Sequence, residues 1–469
     1  MVSKLTALGL AAVATLAASA WAAAAETPRA AAAAPTAPQA DFDHDGKADI
    51  AIGAAGATVG GGAGAGYVSI VYGDGATATF SQNTAGVPGA AEANDHFGGT
   101  VVPVDLDGDS YTDLVVGSPG EHIGQVQAGM LIVLWGGPDG LGKATAVDTG
   151  AKSGGSVGSV VTAGDFDGDG RPGLALSGPW AVRFLNGIGR DGKPAKDSLM
   201  PVFDDEGAVN VRDLSSGDVN GDGITDLVLT VTDQEESDSW RSALYVGGKA
   251  GLTRVGSLIG ANGKRLNGQH TAIGDVNHDG YGDIVVGHGE FSDSDWSRPE
   301  VKGGGVGVAY GGPQGLSSTL TPVWINQDSA GVPGVSEQAD GMGTGLAVAD
   351  TDGDGYADVL AGVPGEDFDG LTDAGAVLLL KGGPKGLTGS GAKVFSQNSA
   401  GVPGVAEKGD ALGESTALGG RLVVGAPAEN AGDGSAWALN LSGNSAAYSP
   451  GSFGAPATKA GFGGAVAGG

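Results

Sequence analysis

The chain has 469 residues, with 92 glycines, 21 prolines, no cysteine and a formal charge of −30 at pH 7. That length supports a large hydrophobic core without disulfides, and the lack of cysteine excludes thiol chemistry and thiolate-bound metals. The charge excludes nucleic acid and anionic lipid surfaces as natural partners, because like charges repel.

Residues 1–25 carry the pattern of a secretory signal peptide. Lys4 supplies the positive start, LTALGLAAVATLAASA the apolar middle, and Ala20 and Ala25 the small-residue cleavage choices. The run is short, alanine-rich and has no basic stop behind it, so cleavage rather than anchoring is expected. Residues 26–40 form a Pro/Ala-rich linker with no core-forming residues. No later stretch is long and apolar enough to span a bilayer as a helix. The expectation is a secreted, extracellular, soluble monomer with no membrane insertion.

From residue 41 the chain repeats. Six acidic phrases recur: DFDHDGKAD (41–49), DLDGDSYTD (105–113), DFDGDGRPG (165–173), DVNGDGITD (218–226), DVNHDGYGD (275–283) and DTDGDGYAD (350–358). Each runs into an apolar segment: IAIG, LVVG, LALSG, LVLT, IVVG and VLAG. A second apolar segment follows a variable loop, and four of these enter one kind of glycine turn: GGPDGL, GGKAGL, GGPQGL and GGPKGL. Short β-branched runs between turn signals predict antiparallel sheets of about four strands per unit and few helices.

A seventh unit, at 412–441, lacks the acidic loop: LGESTALGG passes directly into RLVVGAP and GSAWALNL. The tail GFGGAVAGG (461–469) is the reverse, a first strand with no unit after it. Asp41 opens the one acidic phrase with no strand before it. The two halves complete each other, closing a ring and leaving no sheet edge open. Residues 41–469 are therefore expected to be all-β: a seven-bladed β-propeller of four-stranded antiparallel blades, its first blade completed by 461–469. An open solenoid would need capping repeats instead of a split one.

The pattern of FG, about eight residues, an Asp-rich loop and LxVG[AS]P resembles the FG-GAP repeat of the integrin α-subunit head. Phe97-Gly98, Leu412-Gly413 with Gly425-Ala426-Pro427, and Phe462-Gly463 carry it, and Met342-Gly343 is a close variant. Segments 81–98, 326–343 and 396–413, typified by SQNSAGVPGVAEKGDALG, resemble secreted bacterial members. Repeats three to five depart at the FG position. The resemblance implies a non-enzymatic binding or cell-adhesion module, with partners on the face opposite the acidic loops.

Asp-x-[Asp/Asn]-x-Asp-Gly-x-x-Asp places side-chain oxygens at positions 1, 3, 5 and 9 and a carbonyl at 7. Calcium takes six to eight hard oxygens, and alternate positions of a tight loop converge on one centre. The expected ligands are Asp41, Asp43, Asp45 and Asp49; Asp105, Asp107, Asp109 and Asp113; Asp165, Asp167 and Asp169; Asp218, Asn220, Asp222 and Asp226; Asp275, Asn277, Asp279 and Asp283; and Asp350, Asp352, Asp354 and Asp358. Ser110 replaces the position-6 glycine in one loop. Gly173 replaces the last carboxylate in another, where weaker binding is expected. Five to six calcium ions are expected, acting as structural staples and not as a sensor or catalytic centre.

The loops joining second and third strands open on the other face and are long and unequal. Two of them share a Trp followed by Arg: Trp240 with Arg241, and Trp296 with Arg298. These residue types dominate binding hot spots, so they are the candidate contacts for an extracellular protein or glycan; packing under their own loops is the alternative. Catalytic motifs are weak. GGSVG (154–158) matches Gly-x-Ser-x-Gly around Ser156, but Val157-Gly158 sits at the FG offset from Asp165. His44 and His278 are filler within acidic loops, and His96, His122, His270 and His288 show no zinc spacing. The pairs Glu92/Asp95, Glu337/Asp340 and Glu407/Asp410 recur at a constant offset, which suggests a brace. The alternatives are a hydrolase or lyase with an axial active site, or an accessory propeller for a lipase-type enzyme on a separate chain.

Overall fold

Alternation along each second strand decides the architecture. Every residue of Ile50–Ala54 is buried. Ile50 and Ile52 join a core with Val423, Ala436 and Phe462, while Ala51 joins another with Phe97, Leu114 and Val116. Successive side chains of a strand point to opposite faces, so such a strand buries both sets only when a sheet stacks on each side. Asp113–Ser118 repeats the arrangement: Leu114 and Val116 face one seam and Val115 the next.

The computed structural model describes residues 40–150, 155–178, 180–204, 207–233, 240–289, 298–368 and 370–468. These form seven blades around a ring, with the apolar cores lying between successive blades. From axis to rim, blade 1 is Ala465–Gly468, Ile50–Ala54, Tyr67–Val71 and Thr77–Phe80. Blade 2 is Thr100–Val104, Asp113–Ser118, Met130–Leu134 and Ala144–Ala146. Blades 3 to 7 start with Val161–Gly164, Gly207–Gly217, His270–Gly274, Leu346–Ala349 and Ser415–Leu418. These first strands touch one another around the axis. The expected signal peptide (1–25), residues 26–39 of the expected linker and Trp296 lie outside the described residues.

The ring closes as the split repeat predicts. Ala465–Gly468 pairs antiparallel with Ile50–Ala54, Ile50 opposite Gly468 and Gly53 opposite Ala465. In blade 7 the missing acidic loop leaves a tight turn, with Leu418 directly opposite Leu422. Blade 4 departs from the four-strand expectation: its first strand runs 11 residues with a bulge between Val211 and Asp213, and Phe203–Asp204 adds a fifth strand.

The FG slot is a packing device between blades. Phe97, Val157, Met342, Leu412 and Phe462 are buried in successive seams. The last four bridge in parallel to Gly129, Gly304, Gly375 and Gly434 of the preceding blade. The departures in repeats three to five resolve differently. Val157-Gly158 keeps the slot, which places Ser156 at a seam and on no strand-to-helix elbow. Asn267 takes the blade 5 slot and donates its amide to the Trp240 carbonyl at 2.8 Å. The long first strand of blade 4 replaces the slot.

Candidate metal centres and the opposite loop face

Five acidic loops join the first and second strands of their blades and the one at 41–49 leads into the second strand of blade 1, so all six gather on one face. The position-1 aspartate folds the loop around itself. Asp41 accepts the Asp45 N–H on Oδ1 and the Gly46 N–H on Oδ2, both at 3.0 Å. Asp165 does the same for Asp169 and Gly170, at 3.1 and 2.8 Å, and Asp275 for Asp279 and Gly280, at 3.1 and 2.8 Å. Gly46 has φ of 80°, a region glycine enters without steric cost. Ser110 holds that place in blade 2 with φ of 76°.

The position-9 aspartate ties the loop to the third strand. Asp113 accepts the Leu106 N–H on Oδ2 at 3.0 Å and the Gly136 N–H on Oδ1 at 2.9 Å. Asp49, Asp226, Asp283 and Asp358 hold the matching pairs: Phe42 with Gly73, Val219 with Gly247, Val276 with Gly311, and Thr351 with Gly382. All five carboxylates are fully buried. Burial pushes Asp49 and Asp226 up to about 6, Asp113 to about 7 and Asp283 to about 8, against the pull of these backbone donors and with help from neighbouring aspartates. Each oxygen keeps a second lone pair, so the group can brace the loop and still face an ion. In blade 3 the gap at Gly173 is filled by Asn186, whose Oδ1 would lie 2.0 Å from an added β-carbon and whose Nδ2 donates to Asp167 at 2.8 Å.

Carboxylate oxygens converge. Asp41, Asp43 and Asp45 each offer one within 4.8 Å of the others, as do Asp105, Asp107 and Asp113; Asp165, Asp167 and Asp169; and Asp350, Asp352 and Asp358. Burial raises the pKa of Asp43, and the charges of Asp45 and Asp41 raise it further. An oxygen-only set with this repulsion fits a hard divalent cation. Several loops also recruit the protein's own cations. Arg190 pairs with Asp107 and, at 2.6 Å, with Asp109, its guanidinium 5.2 Å from the Trp135 ring. Lys196 reaches Asp167 at 2.9 Å, and Lys381 reaches Asp352 at 2.7 Å and Asp358. The Lys381 hydrogen bond lowers the pKa of Asp352.

The loops are chained around the ring. Four of the six position-1 carbonyls accept an N–H from the next blade's loop: Thr112 to Asp41 at 3.1 Å, Thr225 to Asp165 at 2.9 Å, Gly282 to Asp218 at 2.9 Å and Ala357 to Asp275 at 2.8 Å. The histidines read as filler make contacts here. The His44 ring meets Tyr111 edge-on with centroids 5.6 Å apart, and His278 Nδ1 lies 2.6 Å from the Gly355 carbonyl. An ion that stiffens one loop therefore stiffens a seam.

An FG-GAP repeat model matches residues 35–71, 97–134 and 342–380, and an FG-GAP-like repeat model matches 218–286. The matched blades, 1, 2, 4, 5 and 6, are FG-GAP repeats. The chain is 30% identical to integrin alpha-PS5 of Drosophila melanogaster over 32% of its length and 14% of the relative's. It is 29% identical to phosphatidylinositol-glycan-specific phospholipase D of Bos taurus over 32% of its length and 18% of that protein's. The chain thus spans under a fifth of either relative. A solved complex of BBS1N with ARL6DN aligns over 77% of this chain and 96% of its own, with 12% identity and a TM-score of 0.37.

On the opposite face of the FG-GAP propeller, Trp240 and Arg241 sit where the third strand of blade 4 begins. Arg241 is 8% exposed, Trp240 is half-buried, and Arg298 is half-buried with Nε 3.5 Å from Glu300 Oε1. The repeated Glu/Asp pairs do form braces: Asp95, Asp340 and Asp410 accept the backbone N–H of Glu92, Glu337 and Glu407 at 2.6, 2.5 and 2.6 Å. Spacing gave no sign of one axial cluster, because its members belong to different blades. His270 Nδ1 lies 3.9 Å from Asp213 Oδ1, and Thr271 donates to Asp213 Oδ2 through N–H and Oγ1. Ser215 Oγ donates to the Thr271 carbonyl at 2.5 Å, so these residues are engaged with the strands. No helix among the described residues is long and apolar enough to cross a membrane.

Proposed function

We propose that this FG-GAP propeller is a secreted calcium-binding module that recognises an extracellular protein or glycan and has no catalytic role of its own. The observation that carries the calcium reading is the convergence of three carboxylates within 4.8 Å in loops that also link neighbouring blades. Five complete loops, starting at Asp41, Asp105, Asp218, Asp275 and Asp350, each take one ion. The Asp165 loop binds weakly, because Gly173 brings no carboxylate and Lys196 and Asn186 already hold Asp167. Sites of about 10⁻⁴–10⁻³ M suffice in extracellular fluid.

Similarity to an integrin alpha chain supports the binding role. The partner face is the one opposite the acidic loops, with Trp240, Arg241 and Arg298 at its blade 4 and 5 edge and Trp296 as the further candidate contact from the sequence. The test is binding of the protein to matrix-protein and glycan arrays in millimolar calcium and in chelator. Calcium-dependent binding that falls about tenfold or more in Trp240→Ala supports the reading; ester or glycan turnover without retained binding refutes it. Similarity to a phospholipase D supports a second role, as accessory propeller to a lipase-type enzyme. That role would show as stimulation of lipid hydrolysis by such an enzyme on adding the propeller.

A further inference from the structure

Three blade joints carry a second acidic constellation, on the face away from the acidic loops. Between blades 1 and 2, Gln82 is 4% exposed, Glu121 5% and Asp95 fully buried. Gln82 Nε2 lies 2.5 Å from Glu121 Oε2. Gln82 Oε1 and Asp95 Oδ1 are buried with no hydrogen-bond partner. The joint between blades 5 and 6 repeats this with Gln327, Asp340 and Glu366, amide to carboxylate at 2.6 Å. Gln397, Asp410 and Glu429 repeat it between blades 6 and 7, at 2.8 Å. Gln327 Oε1 and Gln397 Oε1 again have no partner.

Buried carboxylates need a proton, a counter-ion or a metal. None of the ion pairs between described residues reaches these six carboxyl groups, of which five are buried and Glu366 is half-buried. Burial, reinforced by neighbouring carboxylates, pushes Asp340 and Glu429 up to about 7. The joint does not need acids in order to pack. Between blades 7 and 1, Ala460 stands at the offset of Asp95, fully buried, and the Phe453 and Phe462 rings lie 5.6 Å apart.

Turning the glutamine amide by a half-turn exchanges Nε2 and Oε1. The orphan oxygen then sits 2.5–2.8 Å from a carboxylate oxygen. Two oxygens at that spacing repel unless a proton or a cation lies between them, and a hard cation binds both at the 2.3–2.6 Å typical of calcium. We propose that each of these three joints binds a hard divalent cation through the glutamine oxygen, the buried aspartate and the glutamate of the next blade's loop. The ion ties the outer edge of one blade to the inner strands of the next. These sites are separate from the acidic loops on the other face, so either set can fail alone.

Calcium bound to the metal-free full-length chain is counted by equilibrium dialysis. The triple variant Gln82→Leu, Gln327→Leu, Gln397→Leu is expected to bind three fewer ions than the native chain. An unchanged count overturns the proposal. Should the variant not fold, terbium soaked into crystals of the native chain decides. Anomalous density among Gln397, Asp410 and Glu429 supports the site; density confined to the acidic loops overturns it. Trp437 is a local reporter, because a β-carbon on Gly404 would meet both Gln397 Nε2 and Trp437 Cζ2, at 3.5 and 3.8 Å. Indole-sensitised terbium emission should fall severalfold in Asp410→Asn, and unchanged emission counts against the site.

Discussion

Gly362 of blade 6 lies so close to Gly413, which opens blade 7, that a β-carbon on it would sit 1.8 Å from the Gly413 carbonyl oxygen. Gly53 meets Gly98, Gly117 meets Gly158, Gly287 meets Gly343 and Gly425 meets Gly463 in the same way, at 2.0–2.2 Å. In these five joints the glycine of the second strand and the glycine of the next blade's slot are two halves of one backbone contact. Gly362→Ala must push neighbouring blades apart and is expected to cost about 1–3 kcal/mol or more, as overpacking does. Gly142→Ala, where nothing lies within 4 Å, is the control. Denaturant unfolding of both variants checks the difference, and equal stabilities would refute the contact's role.

Calcium should raise the melting temperature, because ions that bind only the folded chain stabilise it by linkage. At tenfold excess over its dissociation constant each site contributes about 1.4 kcal/mol. A thermal melt in 10 mM calcium, set against one in chelator with matched ionic strength, should separate widely. Coincident melts would reduce the acidic phrases to solvated turns.

Lys381 competes with any ion in the blade 6 loop, because its ammonium already pairs with Asp352 and Asp358. Lys381→Met is expected to tighten calcium there by about threefold to tenfold, a gain of about 0.7–1.4 kcal/mol. The same change should lower stability in chelator, since Asp358 is buried and loses a partner. Calorimetric titration and a chelator melt read the two signs. Matching shifts in one direction would contradict the competition.

His270 should titrate above the usual histidine range. Partial desolvation works against its charged form, and the Asp213 carboxylate 3.9 Å away outweighs that. A folded pKa raised above the unfolded value adds stability that is fully present below the unfolded pKa, near 6.5. That stability is lost as pH rises through the higher folded value. Asp213→Asn should lower the His270 pKa and flatten this region of the pH profile. NMR titration of the imidazole measures the shift; an unchanged pKa would remove Asp213 as its cause.

Much of this fold is a consequence of repetition. Apolar runs such as IAIG and LVVG, spaced by glycine and acidic turns, specify short strands, and the split first unit specifies a closed ring. The orphan strand at Ala465–Gly468 and the headless phrase at Asp41 were legible because a repeat predicts its own missing piece. The acidic loops were legible for the same reason: oxygen at alternate positions is a local pattern, and local chain geometry folds it. Arg190 over the blade 2 loop, Lys381 in the blade 6 loop and Asn186 in the place of a carboxylate could not be read this way. Each reaches its loop from a distant strand or another blade, and side-chain reach across a seam leaves no spacing in the chain.

The sequence by itself determined the repeating strands, the number of blades, the ring and the positions of the carboxylates, since all of these follow from period and composition, while the fifth strand of blade 4 did not. Only the tertiary structure decided which glycines are contacts between blades, which carboxylates are braces, and which are buried beside an unsatisfied amide. Those properties depend on what the neighbouring blade places within a few ångströms.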